Sequence, residues 1–202
     1  MRAPSARVAA TALLIVSAAL LQACVSRPPP LAGHVYSGRL AVRTDASAEQ
    51  DAHAVSGQFE LSGNASSGQL VLTSPLGTTV ARARWSRPEG TLGEPSLIEL
   101  EADGATRRYA TLGEMMQRAI GDQLPLAAMF DWLAARPWPA AAAQRAADGQ
   151  SFEQLGWQVD LSRFAATGLI SATRSAPPPT LHVLVKLDAA EPAASAAAVP
   201  GP

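Results

Sequence analysis

The chain is poor in the residues that most often carry chemistry. Its 202 residues include one cysteine, Cys24, so no disulfide forms within it. The three histidines, His34, His53 and His182, are scattered, and no Cys/His cluster has metal-ligand spacing; no metal site is expected. The G-x-S-x-G, H-E-x-x-H and phosphate-loop patterns are all missing, so neither a catalytic residue nor a cofactor is assigned. Beyond Cys24 no apolar run reaches the ~18 residues of a membrane-spanning helix. Lysine is almost absent, with Lys186 alone among 16 basic residues. Loss of Arg2 and Arg7 with a leader would reduce those 16 to 14 against 17 acidic residues, a net charge of −3. Such a balance argues against a nucleic-acid binder, which would normally show a basic face. Glu99, Glu101 and Asp103 alternate along one segment and read as a solvated face.

What is present begins at the N-terminus. Arg2 and Arg7 precede an uncharged, mostly apolar stretch from Val8 to Leu21, the length of a secretory h-region and short of a membrane span. It ends in Leu21-Gln22-Ala23-Cys24, which is similar to the lipobox of bacterial lipoproteins. That similarity implies cleavage before Cys24 and covalent lipid on it, so acyl chains hold the mature chain to a membrane. Val25 stands where an aspartate commonly retains enterobacterial lipoproteins in the inner membrane, and so leans towards the outer one. Four segments are expected: leader 1–23, lipidated cysteine with a Pro-rich tether 24–34, a domain 35–188, and an Ala/Pro tail 189–202.

Within the domain the period is two. Tyr36, Leu40 and Val42 oppose Ser37, Arg39 and Arg43, and Val55, Phe59 and Leu61 oppose Ser56, Gln58 and Glu60. Further strands are expected in QLVLTS, TTVARARW, SLIELEAD and ATRRYA. The pattern breaks at Thr111, where Thr111 and Glu114 fit a capping box. Leu112, Met115, Met116, Ala119 and Ile120 follow at helical spacing up to Gly121, an expected stop. A second helix is expected from Pro125, with Leu126, Met129, Phe130 and Leu133 on one side. Residues 139–149 fit either a short helix or a mobile connection. Strands resume in SFEQLGWQVDLS, GLISATR and TLHVLVKL. About six strands, two helices and about three strands give a mainly β fold: a curved antiparallel sheet or unclosed barrel with helices over one face. Its interior is either a filled core or a greasy cavity.

Five segments in order over residues 36–187, at Tyr36–Val42, Leu70–Thr78, Leu124–Leu126 with Trp132-Leu133, Gly156-Trp157 and Leu181–Leu187, are together similar to the LolB family. Tyr36-Ser37-Gly38-Arg39-Leu40-Ala41-Val42 resembles its opening strand, and Leu70 to Thr78 (LVLTSPLGT) its L-x-L-x-x-P-L-G-[ST] loop. Leu124-Pro125-Leu126 with Trp132-Leu133, then Gly156-Trp157, then Leu181 to Leu187 resemble the segments that follow. Two features depart from the family: Arg136-Pro137-Trp138-Pro139 replaces a G-x-P turn, and the tail has no terminal tryptophan.

The resemblance implies an outer-membrane lipoprotein on the periplasmic face, monomeric, with a helical lid over a hydrophobic cavity. It further implies that the periplasmic carrier LolA hands over the acyl chains of lipoprotein cargo, which then enter outer-membrane lipid. Met115, Met116, Met129 and Phe130 on the helices, with Phe59, Leu72, Trp157 and Val183 on the strands, are the expected cavity wall. Pro75, Leu76 and Gly77 fall on the loop that implies membrane insertion, with Leu76 as the exposed apolar tip; a leucine folded back as a turn anchor is the alternative. Two other functional classes remain open: a lipoprotein that braces an outer-membrane assembly, with a packed interior, and a lipid-modifying enzyme with a clustered polar site.

Overall fold

The structure, a computed structural model, describes residues 33–48, 51–120 and 123–189. The leader, Cys24, the tether before Gly33, Gly121 and the tail beyond residue 189 lie outside them. Six strands come first: β1 (His34–Thr44), β2 (His53–Gly63), β3 (Ser67–Thr73), β4 (Thr79–Ser86), β5 (Leu97–Ala102) and β6 (Ala105–Tyr109). Helices α1 (Leu112–Ile120) and α2 (Leu126–Leu133) follow. Then come β7 (Ala143–Arg145), β8 (Ser151–Gln154), β9 (Trp157–Asp160), a one-turn helix α3 (Phe164–Thr167), β10 (Leu169–Arg174) and β11 (Leu181–Leu187).

All eleven strands form one antiparallel sheet in the order β6-β5-β4-β3-β2-β1-β11-β10-β9-β8-β7. The sheet does not close, because β6 and β7 at its two ends remain unpaired to each other. The first and last strands meet at its centre, where Gly38 lies opposite Leu187 and Thr44 opposite Leu181. Gly38 is required there, since a Cβ would strike the Lys186 carbonyl oxygen.

Two expectations need correction. Residues 139–149 form neither a helix nor a plain connection, because Ala143–Arg145 pairs with β8 as an exposed edge strand. SFEQLGWQVDLS is two strands, because Leu155 and Gly156 take φ of 55° and 75° and close a tight hairpin. Both central residues of a two-residue turn need positive φ to match strand twist. The period-two pattern hides that turn, since Leu155 looks like strand interior.

Alternation sends one side of most strands to a common apolar core: Phe59, Leu61, Leu70, Trp85, Ile98, Phe152, Val159, Ile170 and Val183 are all buried. Both helices close over this face. At α1 the Thr111 hydroxyl accepts from the Glu114 amide at 3.1 Å. The Glu114 carboxylate reaches one residue further than a simple capping box, accepting from the Ala110 amide at 3.0 Å. Pro125 stands just before α2, one position earlier than first-turn proline. That helix buries Leu126, Met129, Phe130, Trp132 and Leu133. At roughly 1.5–3 kcal/mol for each large side chain, it is held by on the order of 10 kcal/mol of burial.

Polar contacts fasten α2 further. Gln154 is 2% exposed, and its amide oxygen accepts from Trp132 Nε1 and the Trp138 amide, each at 2.9 Å. Its amide nitrogen donates to the Trp138 and Ala141 carbonyls at 2.8 Å, so both donors and both lone pairs are used. From the other half of the sheet, the Tyr36 hydroxyl donates to the Phe130 carbonyl at 3.2 Å. Burial raises the Tyr36 phenol above its ordinary 10.0; Arg136 opposes that shift and Asp131 adds to it.

Gln154→Leu strands a buried indole N–H and two carbonyls, and is expected to cost about 3 kcal/mol or more in urea unfolding. Tyr36→Phe is expected to cost about 1 kcal/mol at neutral pH. Because the folded phenol holds its proton more tightly, native stability falls as pH rises past 10.0 towards the raised value. Stability profiles across that range should show the slope in the native chain and a flatter line in Tyr36→Phe.

Candidate functional site

Between sheet and helices lie two small gaps with wholly apolar linings. The first sits under α1, bounded by Leu70, Leu72, Ala81, Ala83 and Leu100 of the sheet and Met115, Met116 and Ala119 of the helix. The second sits under α2, bounded by Leu124, Met129, Trp132 and Leu133 with Trp157, Ile170, Ala172, Val183 and Val185. Each has a volume of about 20 Å³, room for one water molecule and not for an acyl chain. Around both gaps the described core is packed.

Six of the eight residues expected in a cavity wall border these gaps: Leu72, Met115 and Met116 the first, Met129, Trp157 and Val183 the second. Phe59 and Phe130 are buried in the core and border neither, with Phe130 edge-on to Trp85 at 6.2 Å. Sequence reasoning passed over Trp132, although it lies three residues after Met129, and Ile170 and Ala172 of β10. Aromatic rings gather at the second gap: Trp132 lies 6.1 Å from Trp157 and 6.3 Å from Phe152 between ring centres. Small Ala81, Ala83 and Ala119 carried no sequence signal, because an alanine is ambiguous until its neighbours are known.

The hairpin after β3 is built by its sequence. The Gly77 amide donates to the Ser74 carbonyl at 2.9 Å, with Pro75 and Leu76 at the two central positions of a type I turn. Gly77 follows at φ 84°, which only glycine takes freely, and the Ser74 amide donates to the Thr78 carbonyl at 2.8 Å. This geometry turns Leu76 outward, 93% exposed, so it is not a turn anchor. The neighbouring hairpin residues Pro75, Gly77 and Thr78 are exposed as well.

Polar groups elsewhere make no comparable cluster. Among the described residues no group of three His, Cys, Asp or Glu is placed to hold a metal ion. Glu99 pairs with Arg108 at 2.9 Å and Glu101 with Arg82 at 3.2 Å, both on the solvated face. His182 lies 3.2 Å from Asp45. No described helix is long and apolar enough to cross a membrane.

Comparison with known proteins places these features in a family. Residues 34–181 match the family profile described as "Outer membrane lipoprotein LolB". The chain is 35% identical over 187 residues to the outer-membrane lipoprotein LolB of Bordetella petrii, spanning 86% of this chain and 88% of that one. It is 32% identical over 191 residues to the LolB of Bordetella pertussis, covering 89% and 91% respectively. A shorter stretch of 95 residues is 41% identical to the LolB of Ralstonia nicotianae, over 45% and 42% of the two chains. With the family profile spanning most of the domain, and the unclosed sheet, helical cover and leucine-tipped hairpin in place, the chain belongs to the LolB family of outer-membrane lipoproteins.

Proposed function

We propose that this lipoprotein accepts the acyl chains of lipoprotein cargo from the carrier LolA into the space between sheet and helices, and then inserts the cargo into the outer membrane through the Leu76 hairpin. The observation that carries this reading is the pairing of two apolar-lined gaps under short helices with a leucine 93% exposed on a hydrogen-bonded turn. Lipid on Cys24 serves as anchor, and no cofactor enters the cycle.

Acceptance requires the interior to open, and the two helices differ in what opening costs. Lifting α1 exposes chiefly Met115 and Met116, at roughly 3–6 kcal/mol. Lifting α2 exposes five large side chains, on the order of 10 kcal/mol, and breaks the bonds to Gln154 and Tyr36. At ~0.8 kcal/mol per buried CH₂, about four to eight methylenes of one chain offset the opening of α1. On this reading α1 is the lid, its methionines adapting to chains of different shape, and α2 is the fixed wall.

Anchor and tip can meet one membrane surface. The ten residues from Cys24 to Gly33 reach at most about 35 Å. Along β1, the row from which the hairpin springs is about 17 Å from His34. A single exposed leucine contributes ~1–2 kcal/mol on partitioning, too little to anchor but enough to bias the release of cargo.

The brace reading is favoured by one observation, the packed interior, and cargo transfer separates the two. Mature protein mixed with lipoprotein-loaded LolA is expected to take up the cargo, as is Leu76→Glu, while only the native tip passes it to liposomes. Cargo that stays on LolA in both cases rejects the receptor in favour of the brace. Hydrogen exchange tests the lid: α1 amides are expected to exchange at least tenfold faster than those of α2, and to slow on loading. Equal protection of the two helices would remove α1 from that role.

A further inference from the structure

The outer face of the sheet holds a groove of about 600 Å³ where β1, β2 and β11 meet the base of the Leu76 hairpin. Ala41 and Gly57 leave its floor open, and Leu184 and Pro75 line it with apolar surface. Arg39 and Lys186 also line it, directly opposite each other in the β1–β11 register. Like charges so placed repel. Elsewhere on the sheet Arg43 is paired with Asp45, Arg82 with Glu101 and Arg108 with Glu99. No described carboxylate pairs with Arg39 or Lys186, and the nearby Glu60 and Asp188 form no ion pair with either.

Position adds to charge. Thr73, Gln58, Arg39 and Lys186 form one row across four strands, and Thr73 is the residue from which the hairpin departs. At about 4.8 Å per strand, Arg39 is about 10 Å and Lys186 about 14 Å from the hairpin base, with side chains on the same face. A leucine at acyl depth leaves these cations level with the headgroups, a layer about 5–8 Å thick, which their long stems can reach. The tether joins β1 only five residues before Arg39, on the strand that would lie along the surface.

We propose that this groove binds the phosphate of an anionic phosphoglyceride at the membrane surface, held between Arg39 and Lys186 beside the inserted tip. The bound anion relieves the repulsion between the two cations and sets the domain side-on to the leaflet. The proposal rests on the Leu76 reading only for the depth at which the groove meets the membrane.

The test is flotation of the full mature chain carrying Cys24→Ser, so that no acyl anchor masks binding, on phosphatidylcholine vesicles with and without phosphatidylglycerol. Binding is expected to be stronger with phosphatidylglycerol, and Arg39→Gln with Lys186→Gln to lose that gain, about fivefold for each charge removed. Circular dichroism checks that the double variant folds; a single-site Arg39→Gln carries the test if it does not. Arg145→Gln with Arg163→Gln, exposed cations away from the groove, should keep the gain. Equal losses in the two double variants would assign binding to net charge and overturn the site. Inorganic phosphate should displace the protein from phosphatidylglycerol vesicles more than chloride does at equal ionic strength, and equal displacement by the two salts would overturn the phosphate site. Leu76→Gln, which removes the apolar tip without adding charge, should weaken binding to both vesicle types while preserving their ratio. If it changes neither, the tip reading fails and the groove stands.

Discussion

Everything in this fold depends on the pairing of β1 with β11. Six strands before the helices and five after them would otherwise be two separate meanders, each with one apolar face in water. Joining the first strand to the last at the centre makes one sheet, and its curvature gives α1 and α2 a single face to cover. The contact is as non-local as the domain allows, so its loop-closure entropy must be met before the core can reward it. Close approach of the two strands is secured by Gly38, where any side chain would meet the Lys186 backbone.

The same seam divides the interior into unequal halves. Under α1 lie methionines and alanines, with modest burial and polar caps at the helix start. Under α2 lie interlocking aromatic rings, fastened by a glutamine whose hydrogen-bonding capacity is fully used. A buried polar network of this kind is rigid because each member would be costly to leave unpaired. On the proposed reading, one side of the core holds its shape and the other yields to cargo. Outside, the hairpin does the reverse of burial, spending a proline, a serine hydroxyl and a left-handed glycine to hold one leucine in water.

Much of this was legible along the chain. Alternation marked β1 to β5, because those strands carry one wet and one buried face, whereas β6 buries no residue. Thr111 and Glu114 marked the start of α1, and Met129, Phe130 and Leu133 the buried side of α2. Short β7 was not legible, since Ala143, Gln144 and Arg145 are exposed and only pairing with β8 makes them a strand. Leu155 concealed a turn because its positive φ is imposed by the hairpin and not by its residue type. Gln154 gave no sign of its role: an inward polar residue reads as an interruption until its four partners are in place.

By itself the sequence determined the class of the protein: a lipobox-like leader, one domain of alternating strands with two amphipathic helices, and a turn with leucine at its centre. Those features depend on local periodicity and on the backbone preferences of Pro, Ser and Gly, which act within a few residues. Only the tertiary structure decided that the ends of the domain meet, that the core around the two gaps is packed, and that Arg39 faces Lys186 beside the hairpin. Register, packing density and cross-strand charge arise between residues far apart in sequence, and nothing in the spacing along one strand encodes which strand will lie beside it.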